Sequence, residues 1–230
     1  MVFGKEEIQV KKSIGWLVVT IFGFGAPVFA DSTGVITFED DTNVVRPVNP
    51  MDPSKLGVED PNNPATNNPG PLSLNVAPLQ FDFGKQTTKD AILSYSAKDI
   101  GTQFIQVTDN RTDADGWALT IQRNELVSKG NAEIRGAKLT IPKGVIRNSL
   151  HVPATDSAEN KHLKTQAVDV YGDNTPVTIL SADQLNNNGK ATTISVWESS
   201  KVRLTFKTLV TKKGAYISTV NWSLVTGPTS

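Results

Sequence analysis

The sequence predicts an all-β protein, a single antiparallel β-sandwich or barrel-like domain that follows a signal peptide and a spacer rich in proline and asparagine. Three observations support this prediction. Apolar and polar residues alternate with a period of two in several short segments after residue 71. Turn-forming residues separate those segments, and only one short stretch carries helix signals. Period-two alternation at this spacing indicates strands with one buried and one exposed face.

The first thirty residues have the features of a secretory signal peptide. Lys11 and Lys12 precede an uncharged, largely apolar run that ends at Ala30 with a small-x-small cleavage pattern. Glycines and Pro27 interrupt the run, whereas a membrane-spanning helix needs about 20 predominantly apolar residues. The pattern therefore favours cleavage after residue 30 over a retained membrane anchor.

Two segments separate this signal peptide from the predicted domain. Residues 31–40 contain an apolar, β-branched stretch that predicts one N-terminal strand. Residues 41–71 hold seven of the 13 prolines, alternating with asparagines and acidic residues. Proline fixes its own φ and disfavours helix in the residue before it, and few apolar side chains remain here to bury. We therefore expect 41–71 to be a disordered, extended spacer and the β domain to span residues 72–230.

Ten segments of residues 72–230 are predicted as strands. Trp117, Leu119 and Ile121 fall on one face of their strand, and the same alternation recurs near the end of the chain. One short helix is predicted over 181–186, with Ser181 as its N-cap. The predicted strands are 72–76, 80–83, 103–108, 117–122, 138–141, 166–171, 177–180, 192–196, 202–206 and 215–225.

Composition argues against several functional classes. The 23 Lys and Arg residues are balanced by 23 Asp and Glu, so the basic surface typical of nucleic-acid binding is not expected. Without cysteine there can be no disulfide, thiolate zinc site or cysteine nucleophile. His151 and His162 bracket a polar loop and are predicted to be exposed to solvent. We expect no catalytic centre, metal or cofactor.

An acidic cluster over residues 109–116 resembles a calcium-binding loop. In that alignment Arg111 would take the first ligand position and Gln122 the last, and neither is a calcium ligand of the expected kind. The alternative is a β-hairpin turn in which Gly116 supplies the positive φ. We predict the hairpin, with Asp109 and Arg111 forming an exposed ion pair across it.

The turn leads directly into Trp117-Ala118-Leu119, and a similar triplet, Trp222-Ser223-Leu224, follows Tyr216 near the end of the chain. With their flanking segments, 105–111 before the first triplet and 70–84 at the start of the domain, these motifs resemble the WxL domain. That family comprises surface proteins of low-GC Gram-positive bacteria and carries two Trp-x-Leu motifs. The resemblance covers about residues 70–230. It departs from the family after Arg111, where glycine is common.

The resemblance implies a function at the cell surface. Family members attach non-covalently to the cell wall through peptidoglycan, and their expected partner is a WxL-interacting, membrane-anchored surface protein. The chain would then be a secreted, non-enzymatic wall protein, either monomeric or part of a hetero-complex. The residues that the resemblance implicates are Trp117, Leu119, Trp222, Leu224, Asp109, Arg111 and Tyr216.

Several alternatives stay open at the level of sequence. The tryptophans could stack on sugar rings of the wall, or they could be core residues, which alternation alone would explain. The chain could also be a secreted glycan hydrolase with a carboxylate pair in loops 156–159 or 169–173. A third alternative is a protein that polymerises into fibres through open sheet edges.

Overall fold

A computed structural model describes residues 6–8, 34–87, 91–112, 115–184, 189–207 and 212–227. The chain divides into two compact units, residues 1–40 and residues 41–230. In the first unit, β1 (Glu6–Ile8) pairs antiparallel with β2 (Gly34–Ile36). A strand thus lies within 31–40, with a partner that the sequence did not identify. Apart from Glu6–Ile8, the predicted signal peptide lies outside the described residues and stays a prediction.

The second unit consists of antiparallel strands, which confirms the predicted fold class. A 3₁₀ turn over Ser199–Lys201 leads into β17. In chain order the strands are β3 (Val48–Asn49), β4 (Asp52–Leu56), β5 (Leu72–Val76), β6 (Ile92–Ser96), β7 (Thr102–Asp109), β8 (Trp117–Arg123), β9 (Leu126–Ser128), β10 (Glu133–Ile134), β11 (Lys138–Ile141), β12 (Val145–Asn148), β13 (Leu163–Thr165), β14 (Val168–Tyr171), β15 (Val177–Ala182), β16 (Ala191–Glu198), β17 (Arg203–Lys207), β18 (Tyr216–Ile217) and β19 (Val220–Thr226).

Three four-stranded sheets enclose the main hydrophobic core. Their strand orders are β12-β16-β7-β5, β13-β15-β8-β19 and β14-β11-β17-β6, and a smaller sheet has the order β10-β9-β18. The inward residues of β8, namely Trp117, Leu119 and Ile121, are fully buried in this core. Burying a large apolar side chain stabilises the fold by roughly 1.5–3 kcal/mol. The alternation in the sequence therefore identified the buried face of β8 correctly.

The prediction of a disordered spacer over residues 41–71 is wrong. This segment belongs to the same compact unit as the sheets, and it contributes the hairpin formed by β3 and β4. Val48 packs with Val76, Phe104, Ile194 and Val196 in a second core on the outer face of the sheet that contains β7. As a result β7 and β16 are buried on both faces rather than one. The domain begins near residue 41, not residue 72.

Polar side chains attach this N-terminal layer to the sheet. The buried Gln106 side chain accepts a hydrogen bond from the Val48 backbone N–H at 2.8 Å and donates one to the Arg46 carbonyl at 3.0 Å. Thr108 donates to Asn75 at 2.6 Å on the same face. Because buried polar groups are costly unless they are paired, these bonds account for glutamine and threonine at sheet positions covered by the layer.

Asn63 extends the sheet with its side chain. Its amide accepts a hydrogen bond from the Phe104 N–H at 3.1 Å and donates one to the Thr102 carbonyl at 3.0 Å. These are the two backbone groups that a neighbouring strand would satisfy beyond the end of β5. An asparagine side chain therefore takes the place of a peptide unit, which explains why a segment poor in apolar residues is nevertheless ordered.

Other local predictions were corrected by longer-range contacts. Residues 80–83 do not form a strand, and 215–225 divides into β18 and β19. Ser181 and Ala182 end strand β15, so the predicted helix does not begin there, and residues 185 and 186 lie outside the described residues. Seven strands of the second unit were not predicted, since most are short and lack clear alternation. They are β3, β4, β6, β9, β10, β12 and β13.

Replacing Asn63 tests whether the N-terminal layer is part of the folded domain. We expect Asn63→Ala to lower the free energy of unfolding by about 2 kcal/mol, because it leaves the Phe104 N–H and the Thr102 carbonyl without their partner. Asn43→Ala is the matched control, since Asn43 is exposed and its side chain bonds to Asp41. Denaturant unfolding measures both. Equal effects of the two substitutions would contradict a structural role for the layer.

Candidate functional site

The two Trp-x-Leu motifs lie side by side on adjacent antiparallel strands. The register of β8 and β19 places Leu119 opposite Leu224, Ile121 opposite Trp222 and Trp117 opposite Thr226. Each tryptophan therefore faces a smaller residue, so the two indoles do not compete for the same space. Both motifs direct their Trp and Leu side chains to the core face of one sheet.

Trp117 and Leu119 are core residues. The Trp117 side chain is 0% exposed, and its indole N–H donates a hydrogen bond to the Gly189 carbonyl at 3.2 Å. Gly189 lies so close that an added Cβ would approach the indole nitrogen to 2.6 Å and the Ala182 Cβ to 2.3 Å. The first motif therefore acts through the fold, with the backbone at Gly189 packed directly on its indole.

Asp109 and Arg111 form a buried ion pair, not the exposed one predicted. Their carboxylate and guanidinium make two hydrogen bonds of 2.9 Å, and the side chains are 3% and 9% exposed. Arg111 also donates to the Gly116 carbonyl at 2.9 Å, while Lys190 donates to the Arg111 carbonyl. Bidentate pairs of this kind fix geometry as well as charge. The pair thus holds the chain immediately before Trp117.

The prediction of a β-hairpin over 109–116 is wrong in its topology. Strand β7 belongs to one sheet and β8 to another, so this loop crosses between two sheets. Gly116 does have the predicted positive φ, +69°, and a Cβ added there would lie only 2.7 Å from the Ala182 carbonyl oxygen. Residues 113 and 114 of the calcium-like cluster lie outside the described residues. Within the described ranges, no group of three or more His, Asp or Glu side chains could hold a metal ion.

Trp222 and Leu224 are half-buried and border a shallow groove of about 400 Å³. β19 and β5 are the end strands of their sheets, and the groove lies between them. No charged residue in the described part of the chain lines it, and the N-terminal layer forms part of its wall. The lining residues are Asn68, Pro69, Leu72, Ser73, Leu74, Trp222, Ser223 and Leu224. The second motif is therefore the accessible one.

Tyr216 lies apart from the two motifs. It belongs to β18, which pairs with β9 in the three-stranded sheet, and it packs on a separate hydrophobic cluster. Its hydroxyl donates to the Lys212 carbonyl and accepts from the Lys212 N–H, each at 3.0 Å. The structure thus gives Tyr216 a role in holding a turn rather than in lining the groove.

Arg123 is a buried residue that sequence reasoning missed. It ends β8, donates to the Val170 carbonyl at 3.1 Å, and also donates to the carbonyls of Asn124 and Ala137. Burial lowers the pKa of Arg123 from its ordinary value, while the nearby charges of Glu125 and Asp173 act in the opposite sense. A guanidinium has enough donors to join several carbonyls at once, and here it links β8 to β14 and to neighbouring loops.

The two histidines differ in exposure, and only His151 is exposed as predicted. His151 is exposed, but His162 is only 9% exposed and its Nδ1 lies 2.5 Å from the Asp183 carboxylate. The prediction of an exposed His162 is therefore wrong. His162 directly precedes β13, and Asp183 directly follows β15. These two strands pair, with Leu163 opposite Ala182. The pair connects two loops of the domain.

Comparison with known proteins identifies the class. The fold and the paired motifs define an all-β module with one buried and one accessible Trp-x-Leu sequence. A family model described as "WxL domain surface cell wall-binding" matches residues 28–228, so the chain belongs to the WxL domain family. It is a cell-wall-binding surface protein. Searches of the curated proteins and of the solved structures found no match. No helix among the described residues is long and apolar enough to cross a membrane.

Gly189→Ala tests the tight packing on Trp117. Because the new methyl group would overlap the indole and Ala182, we expect a loss of about 1–3 kcal/mol in the free energy of unfolding. Gly130→Ala is the control, since nothing lies within 4 Å of a Cβ added there. Thermal unfolding followed by tryptophan fluorescence would report both variants. If Gly189→Ala were as stable as Gly130→Ala, the indole would not be packed as described.

Removing the buried carboxylate should be far more disruptive than removing an exposed one. Asp109→Ala removes the carboxylate that accepts two hydrogen bonds from the buried guanidinium of Arg111, so we expect a loss of about 3 kcal/mol. Glu133→Ala breaks the exposed pair with Arg135 and is expected to cost less than about 1 kcal/mol. Urea unfolding at neutral pH compares the two. Similar losses would show that the Asp109–Arg111 pair is solvated.

Proposed function

We propose that this protein is a secreted, non-enzymatic wall protein that attaches non-covalently to peptidoglycan. Its accessible contact surface is the groove beside Trp222. A WxL-interacting, membrane-anchored surface protein completes the assembly as its partner. Membership of the wall-binding family supports the general role, and the groove supports the location of the contact. Trp117 and Leu119, which are fully buried, support the fold and do not touch the wall.

The observation on which this proposal depends is the lining of the groove. An indole and several aliphatic side chains lie beside the polar groups of Asn68 and Ser223, and none of the described lining residues is charged. Recognition sites commonly combine apolar and aromatic walls with a few polar groups that fix orientation. The apolar face of a sugar ring suits the indole, and its hydroxyl and amide groups suit the polar side chains. A wall glycan offers this chemistry repeatedly.

The hydrolase alternative has weak support in one of the two loops where it was expected, residues 169–173. A glycosidase needs one carboxyl group that stays protonated until it donates to the leaving group. Burial raises the pKa of Asp169, but hydrogen bonds from Thr140 and Lys138 outweigh it and the pKa is lowered overall. Hydrogen bonds from Thr175 lower the pKa of Asp173 as well. Both shifts favour the charged form, the opposite of a general acid.

A bulky substitution in the groove tests the contact surface without disturbing the core. Ser223 is exposed and lines the groove, whereas Asn221 is exposed on the same strand but does not line it. We expect Ser223→Arg to weaken co-sedimentation with purified cell walls about tenfold, because the guanidinium fills the groove. Asn221→Arg should bind normally. Each substitution should change the free energy of unfolding by less than about 0.5 kcal/mol.

Two outcomes would count against the proposal. Equal wall binding by Ser223→Arg and Asn221→Arg would remove the groove as the contact surface. Release of soluble sugars from purified walls by the wild-type protein would instead support the hydrolase alternative.

A further inference from the structure

A second recess, beside the turn that follows β9, carries a different chemistry from the groove. The turn that joins β9 to β10 faces the turn that precedes β18, and they enclose a recess of about 450 Å³. Among the described residues, eight line it, of which three are lysines and none is acidic. They are Ser128, Lys129, Gly130, Ala132, Lys212, Lys213, Gly214 and Ala215.

Both turns are held in place by hydrogen bonds. In the first turn, the Ser128 N–H donates to the Ala132 carbonyl at 2.9 Å, and the Ala132 N–H donates to the Ser128 hydroxyl at 3.0 Å. In the second, the Tyr216 hydroxyl bonds to both backbone groups of Lys212. The pairing of Tyr216 with Ser128 fixes one turn against the other. The three lysines therefore extend from two anchored positions.

These three lysines form no ion pair with a carboxylate of the described residues. Six other lysines form ion pairs with carboxylates, among them Lys98 with Asp82 and Lys138 with Asp169. Among the described residues, no carboxylate lies within 4 Å of the ammonium groups of Lys129, Lys212 or Lys213. Like charges that converge on one concave surface raise the local positive potential and attract anions.

We propose that this recess, named here the lysine recess, binds the phosphate group of a phosphodiester compound. Lysine ammonium groups act as compact point charges that can approach a phosphate from several sides, whereas a planar carboxylate is matched better by arginine. The volume admits a phosphate with an attached alcohol or sugar. Phosphodiester polymers of the wall and phospholipid headgroups share this chemistry. The inference is independent of the groove beside Trp222, which carries no charge.

The test compares two triple variants with the same change in net charge. The first is Lys129→Gln, Lys212→Gln and Lys213→Gln in the full chain. The matched control is Lys85→Gln, Lys161→Gln and Lys164→Gln, which removes three exposed lysines that do not line the recess. All six positions are exposed, so both variants should unfold close to the wild-type temperature, which circular dichroism would verify.

Binding is measured by sedimentation with intact walls, with walls chemically stripped of phosphate polymer, and with phosphatidylglycerol vesicles. We expect the recess variant to bind intact walls about tenfold more weakly than the control variant at low salt, and the difference to diminish as salt rises. Stripped walls should bind both variants equally. A difference seen with vesicles but not with walls would assign the lysine recess to a lipid phosphate.

The proposal fails if the two variants bind every target equally, or if their difference persists on stripped walls. Neither result bears on the groove, because Ser223→Arg is expected to weaken binding to intact and stripped walls alike.

Discussion

The pairing of β8 with β19 is the contact on which the rest of the domain depends. It joins a strand from the middle of the domain to the last described strand and thereby completes the sheet behind the main core. The buried indole of Trp117 then needs an acceptor, which the backbone at Gly189 provides. The ion pair of Asp109 and Arg111 sets the direction in which the chain enters β8. One strand pair and its fixed entry thus determine where both motifs lie.

This arrangement gives the two motifs different tasks. The first is enclosed by three sheets and contributes stability, whereas the second lies on an end strand next to residues of the N-terminal layer. The groove is formed by an end strand and the N-terminal layer. Substitutions at Asn68 or Ser223 can therefore change its surface without altering the core beneath it. The charged groups are separated as well, since the groove is uncharged and unpaired lysines gather at the lysine recess. Neutral and anionic components of an envelope could therefore be recognised at different places.

The sequence predicted those features that depend on neighbouring residues and missed those that depend on distant ones. Alternation located β8 and its buried face because, in a half-buried strand, the polarity of each residue matches the face on which it lies. Prolines and asparagines in 41–71 suggested a spacer, but Asn63 supplies a sheet-like amide to β7, which no local pattern reveals. The glycine at 116 has the predicted φ, yet turn chemistry does not specify which sheet the next strand joins. The burial of His162 likewise results from its contact with Asp183.

The N-terminal layer also constrains when the domain can fold. The cluster around Val48 includes Ile194 and Val196, so a chain made from its N-terminus cannot complete this core until β16 has been synthesised. The core around Trp117 is completed still later, when β19 arrives. Contacts between such distant segments slow folding, because a long stretch of chain must be ordered before they form. Nearly the whole polypeptide must therefore be present before either core is complete. The nascent chain would then stay unfolded until its synthesis is almost finished.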